Sequence, residues 1–272
     1  PDGKILAAGG LQDWYEFGLV IPFAETYDSS INQWESAGPM KFNRAYHTAT
    51  LLSDGTVLAA GGWNGTSSSI PSAEIYDPKT RTWSQTSSLS QRRLGHTVTL
   101  LRDGRVLAAG GVIDFMDTIN SAEIYDPETK IWTPIEPMPT TRGLHTATLL
   151  SNGCVLVSGG VSGSRFLPAA GADLFDPTTG RWSGVSMGDI SPTKDGCAMQ
   201  LPVCDHPVFF TGGWSLAGYP DFSSLYFPET GTWQNHLSPL GFPRAGFSLT
   251  CLPTAELLAV GGINPTGFPD PE

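Results

Sequence analysis

Five tryptophans, Trp34, Trp83, Trp132, Trp182 and Trp233, fall about 50 residues apart, and the double glycines keep the same interval. The stretch from Arg93 to Trp132 shows what is being repeated. It opens with Arg-Leu-Gly-His (Arg93–His96) and runs into the apolar segment Thr97–Leu101. A turn at Asp103-Gly104 leads to a second apolar segment, Arg105–Ala109, which ends on Gly110-Gly111. After a polar loop come Ser-Ala-Glu-Ile-Tyr-Asp-Pro (Ser121–Pro127) and finally Trp132. A period of this length with Gly-Gly, then Tyr, then Trp, makes each repeat one small sheet of four short strands. Six double glycines are present: Gly9-Gly10, Gly61-Gly62, Gly110-Gly111, Gly159-Gly160, Gly212-Gly213 and Gly261-Gly262. The repeats fall at 1–40 (partial), 41–90, 91–139, 140–188, 189–240 and 241–272 (partial). Length alone allows one or two domains; the unbroken repeat predicts one, spanning 1–272.

Composition agrees with a chain that turns every few residues: Gly and Pro number 32 and 22, and charged residues are only 15%, against roughly 25% in ordinary domains. No window sustains apolar spacing at i, i+3, i+4 and i+7, whereas short alternating runs are common. The net charge of −11 argues against nucleic acid and anionic membrane surfaces, since phosphate binding needs clustered Lys and Arg. No apolar run approaches the roughly 20 residues of a spanning helix.

The repeat residues are similar to those of kelch proteins, and the resemblance runs along essentially the whole chain. It implies an all-β, kelch-type β-propeller of four-stranded antiparallel blades, about five to six of them represented. The first ten residues match the second strand of a repeat, and the last segment supplies a first and a second strand. Two arrangements are compatible with this. The ends complete a five-bladed ring, or the chain is a fragment of a six- or seven-bladed one; the expectation here is the fragment.

Each recurring residue has a physical reason. The double glycines, Gly61-Gly62, Gly110-Gly111, Gly159-Gly160 and Gly212-Gly213 among them, end the second strands, where positive φ and close backbone approach are needed. Asp54-Gly55, Asp103-Gly104 and Asn152-Gly153 read as two-residue hairpins. Tyr27, Tyr76, Tyr125, Phe175 and Tyr226 share one repeat position. With the tryptophans, Trp83 and Trp132 included, they predict packing between blades. Arg44, Arg93, Arg142 and Arg244 precede first strands, with Lys194 in the fifth repeat. Glu25, Glu74 and Glu123 precede the repeat tyrosine, with Asp173 and Ser224 in the later repeats. These basic and acidic positions are expected to pair, because an isolated buried charge is costly.

Candidate chemistry is thin. His47, His96 and His145 occupy one repeat position; equivalent residues of successive blades lie too far apart to share one ion, so no metal site is predicted. Arg44-Ala45-Tyr46-His47 followed by Leu-Leu-Ser-Asp-Gly resembles one strand of galactose oxidase and related copper-radical enzymes. That resemblance would map the metal-binding Tyr and His onto Tyr46 and His47; the cross-linked second tyrosine and the separate histidine domain of that family find no counterpart here. No G-x-S-x-G, H-E-x-x-H or P-loop is present. Catalytic residues and cofactors are therefore expected to be none. Cys154, Cys197, Cys204 and Cys251 lack C-x-x-C spacing and read as buried thiols, with a Cys197–Cys204 pairing across a hairpin as the alternative.

The residues that break the repeat carry the functional expectation. The loops Leu11–Pro22, Trp63–Pro71, Val112–Asn120, Val161–Ala170 and Trp214–Phe222 vary most. In propellers such loops share one face, where a rigid scaffold presents variable segments. They hold Trp14, Tyr15, Phe17, Trp63, Phe115, Phe166, Trp214, Tyr219 and Phe222, and aromatics are common anchors of binding hot spots. Glu16, Asp114, Asp117 and Asp221 favour a basic partner. The expectation is a monomeric, non-catalytic module that binds a protein or peptide on this loop face; the resemblance leaves a galactose-oxidase-like oxidase or carbohydrate-binding propeller as the other reading. Asn64-Gly65-Thr66 is a glycosylation sequon, meaningful in a secreted chain.

Overall fold

A computed structural model of the chain describes residues 3–12, 18–66, 68–187, 193, 196–203, 205–216, 218–219, 223–237, 240–252, 254 and 256–263. Among the described residues every regular element is a β-strand. The chain gathers into two compact units, residues 1–117 with 122–135 and residues 118–121 with 136–272.

The first unit holds three sheets. The first has three strands, Ile5–Ala8, Ala24–Asp28 and Gln33–Ser36. The second is a four-stranded antiparallel meander of Thr48–Leu51, Val57–Ala60, Ala73–Asp77 and Thr82–Thr86. The third repeats it with Thr97–Leu100, Val106–Ala109, Ala122–Asp126 and Ile131–Ile135. In the second unit the fourth sheet runs Thr146–Leu149, Val155–Ser158, Ala172–Asp176 and Arg181–Val185. The fifth runs Cys197–Gln200, Val208–Thr211, Ser223–Phe227 and Thr232–Leu237, and Ser248–Cys251 pairs with Leu257–Val260 in a sixth. Second strands such as Val106–Ala109 are buried along their whole length, as expected of a strand covered on both faces.

The hairpins between first and second strands are one residue longer than expected. Leu52 N–H donates to the Thr56 carbonyl at 2.8 Å and Gly55 N–H to the Leu52 carbonyl at 3.0 Å. The loop is therefore Ser53-Asp54-Gly55, with Gly55 alone left-handed at φ +87°. Asp54 directs this: its carboxylate accepts the Thr56 N–H at 2.9 Å and the Thr56 hydroxyl at 2.7 Å, which favours a type I turn closed by a left-handed glycine over the two-residue form.

Aromatic pairs fasten each third strand to its fourth. Tyr76 lies directly opposite Trp83 on the ladder, ring centroids 5.1 Å apart and tilted by 39°. Tyr27–Trp34, Tyr125–Trp132, Phe175–Trp182 and Tyr226–Trp233 reproduce the contact at 5.2, 5.0, 4.9 and 4.8 Å. Sheet packs on sheet through the same rings. Tyr125 and Trp132 join Leu52, Leu58, Ala60 and Leu89 of the preceding sheet in one buried cluster. The Tyr125 hydroxyl meets the Thr86 hydroxyl at 2.8 Å. In the second unit Tyr226 and Val208 close on Leu150, Leu156 and Met187.

The expected charge pairs form within single sheets. Arg44 meets Glu74 at 2.9 Å, Arg93 meets Glu123 at 2.8 Å and Arg142 meets Asp173 at 2.9 Å, all buried. Each arginine also donates to the carbonyl of its own first glycine: Arg44 to Gly61 at 2.9 Å, Arg93 to Gly110 at 2.7 Å, Arg142 to Gly159 at 3.0 Å. The carboxylate is capped in turn, Glu74 accepting from Lys41 N–H at 2.7 Å and Phe42 N–H at 3.2 Å. In the first sheet, which has no first strand among the described residues, Glu25 is exposed. Lys194 lies outside the described residues.

All six double glycines have positive φ, as expected. At Gly61 the reason is steric: a methyl there would lie 2.7 Å from the Arg93 carbonyl oxygen and 2.7 Å from the His96 ring. The repeat histidine thus leans on the double glycine of the preceding sheet, a structural role. His47 does the same against Gly9, and Phe247 takes that place against Gly212. Cys197 stands at the equivalent position of the fifth sheet and is too short to reach Gly159. A cavity of about 30 Å³ results, lined by Gly159, Gly160, Cys197, Gly212 and Ser224 among others. The Cys197 thiol is free and donates to the Phe247 carbonyl at 3.0 Å, and burial pushes it up to about 11. Cys204 lies outside the described residues.

Two stability measurements follow from this architecture. Glu74→Ala strands the Arg44 guanidinium without its counter-charge and is expected to lower unfolding free energy by about 3–5 kcal/mol; urea unfolding unchanged from wild type would remove the pair from the fold's support. Cys197→His restores the ring found in other repeats and should add about 0.5–2 kcal/mol by filling the cavity. A loss of stability in that variant would show that the space is not shaped for an imidazole.

Candidate functional site

The loops leaving the second strands of the first unit bring three aromatic rings together. Trp63 follows Gly61-Gly62 directly and pairs with Ala45, each N–H donating to the other's carbonyl at 2.8 Å. This fixes the indole against the sheet, only 7% exposed. The expectation that Trp63 is an open anchor is corrected: it is the platform. The Trp63 indole and the Phe115 ring meet in a T-shaped contact, centroids 5.5 Å apart and planes at 85°. Phe115 in turn meets Tyr46 edge-to-face at 5.8 Å and 84°. Phe115 and Tyr46 are the open members, 46% and 41% exposed, with exposed Met116 beside them.

Backbone conformation sets these two rings apart. The position before the repeat histidine is left-handed in four repeats, with φ +54° at Tyr46, +55° at Gly95, +53° at Leu144 and +66° at Gly246, whereas the equivalent Gly196 is not. Glycine takes this conformation freely, whereas a side chain there costs about 1–2 kcal/mol. Phe115 repeats the situation. Asp114 and Phe115 both have positive φ, +51° and +57°, and Met116 N–H closes the turn on the Ile113 carbonyl at 2.9 Å. Such a mirror-image turn prefers Asn-Gly or Asp-Gly, and here phenylalanine stands where glycine is usual. Tyr46 and Phe115 are both held in glycine's place and touch each other.

Asp114 anchors the loop. Its carboxylate accepts from Ser69 N–H at 2.7 Å, the Ser69 hydroxyl at 3.1 Å and Arg92 at 2.6 Å. Burial acts to raise this carboxyl, and the Ser69 and Arg92 hydrogen bonds outweigh it, holding it below the ordinary carboxylate value. Asp114 is therefore occupied inside its own unit, and Asp117 is the exposed acid of that loop.

Of the other aromatics read from the sequence, Phe166, Trp214 and Tyr219 are half-buried loop residues of the second unit; Phe166 is again left-handed, at φ +50°. Trp14, Tyr15, Phe17 and Phe222 lie outside the described residues, as do Glu16 and Asp221. Tyr46 was missed as a loop-face ring. Its signal was available in the repeat itself, since Gly95 and Gly246 occupy the same position.

Tyr46 and the adjacent His47 leave the chain toward different neighbours, Tyr46 to Phe115 and His47 to Gly9. Among the described residues no group of three or more His, Cys, Asp or Glu is placed to hold a metal ion.

With the sheets and this site in view, comparison with known proteins is informative. Residues 44–90 and 92–139 match the family model for the kelch motif. Residues 44–139 carry two consecutive kelch repeats. A solved structure titled "Structure of YjhT" shares the fold, with a TM-score of 0.73 over 92% of this chain and 87% of that one at 16% identity. The fold is thus a kelch-type β-propeller. No curated protein matches the sequence. Kelch repeats serve in general as protein-interaction modules.

His47 supplies a pH test of the packing beneath the site. Burial first, and the Arg44 charge second, push its imidazole down to about 4, below the ordinary unfolded value of about 6.5. Above pH 6.5 the ring is neutral in both states and has no effect. As pH falls from about 6.5 to about 4 the unfolded chain takes up a proton that the folded chain refuses, so stability drops by about 3 kcal/mol and then levels off. Urea unfolding across that window should show this slope in wild type and a flatter one in His47→Gln; identical slopes would mean the ring is solvated.

Proposed function

We propose that the chain is a non-catalytic recognition module that captures a protein or peptide partner on the loop face, with Tyr46 and Phe115 as anchors. The observation that carries this reading is the pair of left-handed, exposed, mutually touching rings at positions where glycine serves the fold better. Strained backbone that places a side chain in solvent does nothing for stability, and such strain gathers at binding sites. Aromatic residues bring large contact area at low entropic cost. The rings sit on a rigid base, because Trp63 is buried beneath Phe115. The net charge of −11 and exposed Asp117 favour a partner that offers a basic residue beside its apolar contact.

Tyr46→Gly separates this role from a structural one. Relief of the left-handed strain, about 1 kcal/mol or more, offsets the lost ring contact of about 0.5–1.5 kcal/mol, so the melting temperature should stay near wild type. Peptides selected from a display library on the wild-type chain should bind Tyr46→Gly and Phe115→Ala at least tenfold more weakly, a loss of about 1.4 kcal/mol. Equal binding to all three proteins, or binding that survives without Phe115, overturns the anchor assignment.

A further inference from the structure

We propose that Asn64 is an acceptor for N-linked glycosylation, presented for the reaction by a closed turn on the loop after Gly62. The sequence Asn64-Gly65-Thr66 meets the acceptor rule of a hydroxyl two residues after the asparagine with no proline between them. The structure adds the arrangement of the groups. Asn64 Oδ1 accepts from the Thr66 hydroxyl at 2.7 Å and from Thr66 N–H at 3.2 Å. Both bonds engage the amide oxygen; among the described residues no group bonds to Nδ2. Gly65 and Thr66 are exposed, and Gly65 takes the turn at φ +92°. The turn is pinned from below, because the buried Trp63 donates its indole N–H to the Thr66 carbonyl. The amide of half-buried Asn64 is thus held by its oxygen, on a loop whose next two residues are exposed.

The chain contains its own comparisons. Asn152-Gly153-Cys154 makes the same kind of turn, Asn152 Oδ1 accepting the Cys154 N–H at 3.0 Å, but a thiol stands where the hydroxyl is needed. Asn264-Pro265-Thr266 has the hydroxyl and is barred by its proline. Only Asn64 combines all the requirements.

The co-reactant is an oligosaccharide carried on a lipid diphosphate. A bond forms between Asn64 Nδ2 and the anomeric carbon of the first sugar. The bond from that carbon to the diphosphate oxygen breaks, the lipid diphosphate leaves with the electron pair, and one amide proton passes to a base of the transferase. The glycan would stand one residue from Trp63, the platform of the aromatic site, so its attachment brings bulk and hydration to the rim of that surface. The assignment holds independently of what the loop face captures.

The test is secretion of the full 272-residue chain from eukaryotic cells behind a cleavable signal, followed by intact-mass measurement and peptide mapping. Wild type should carry one glycan, released by an amidase-type glycosidase that leaves aspartate at position 64. Asn64→Gln and Thr66→Ala should lose the glycan completely, Thr66→Ser should keep it, and Asn152 should be unmodified throughout. Urea unfolding equal to wild type in Thr66→Ala shows that the loss is chemical rather than a folding defect. Secreted, folded wild type with bare Asn64, or a glycan that persists in Thr66→Ala, overturns the proposal.

Discussion

A guanidinium withdrawn completely from water is costly unless nearly every N–H finds an acceptor, and three of the sheets contain one. Arg44 solves the problem by converging on three partners at the second and third strands: Glu74 through two nitrogens, the Gly61 carbonyl at 2.9 Å and the Ser72 carbonyl at 2.7 Å. The same residue acts between sheets through its backbone, since its carbonyl accepts Gly10 N–H at 2.7 Å. Arg93 accepts from Gly62 in the same way at 2.8 Å. One arginine thus closes its own sheet with its side chain and binds the preceding sheet with its main chain. The double glycine is the other half of this joint. It must be bare because the next arginine's carbonyl and the next histidine's ring occupy the space of any side chain. Replacing such a network wholesale by apolar residues could be tolerated, but removing one member leaves a buried charge exposed to nothing.

The fifth repeat shows what relaxing the joint entails. Ser224 replaces the acid and is buried, and Cys197 replaces the histidine. A serine asks for no buried counter-charge, so the electrostatic demand falls. The cost appears as volume instead: the shorter Cys197 leaves the cavity against Gly159, while Phe247 of the following repeat fills the corresponding space against Gly212. Charge and packing at this joint therefore loosen together in one repeat.

Much of the fold was legible because it repeats. Five tyrosine-type rings and five tryptophans at a common interval were expected to pack between blades; Tyr125 and Trp132 do pack on the preceding sheet, and their pairing across one ladder is what the interval alone did not show. The Arg–acid pairing could be read from co-occurrence alone, since Ser224 and Lys194 depart from it in the same repeat. The turn geometry was not legible, because Asp54-Gly55 satisfies both a two-residue and a three-residue hairpin; the Thr56 hydrogen bonds that decide between them are visible only in three dimensions. The site was half legible. Loop aromatics could be listed, but burial could not be assigned: Trp63 and Phe115 look alike in sequence, and the short bridge to Ala45 is what turns Trp63 inward. Tyr46 was hidden for a different reason. It sits inside the repeat rather than in a variable loop, where the glycines at the equivalent positions Gly95 and Gly246 are its one sign in the sequence.

That last residue bears on how a rigid repeat fold holds exposed rings at its surface. Variable loops supply chemistry, but their side chains need a fixed base and a fixed direction. Here the base is a buried indole, and the direction comes from two left-handed residues whose Cβ atoms point where an ordinary backbone conformation would not send them. The strain is affordable because the arginine joint beneath it is over-determined: Arg44 is locked by side-chain and main-chain bonds two residues before Tyr46. The buried ion pair closes the sheet from which Tyr46 rises, and the Arg44 main chain, two residues before Tyr46, ties that sheet to the double glycine of the preceding one.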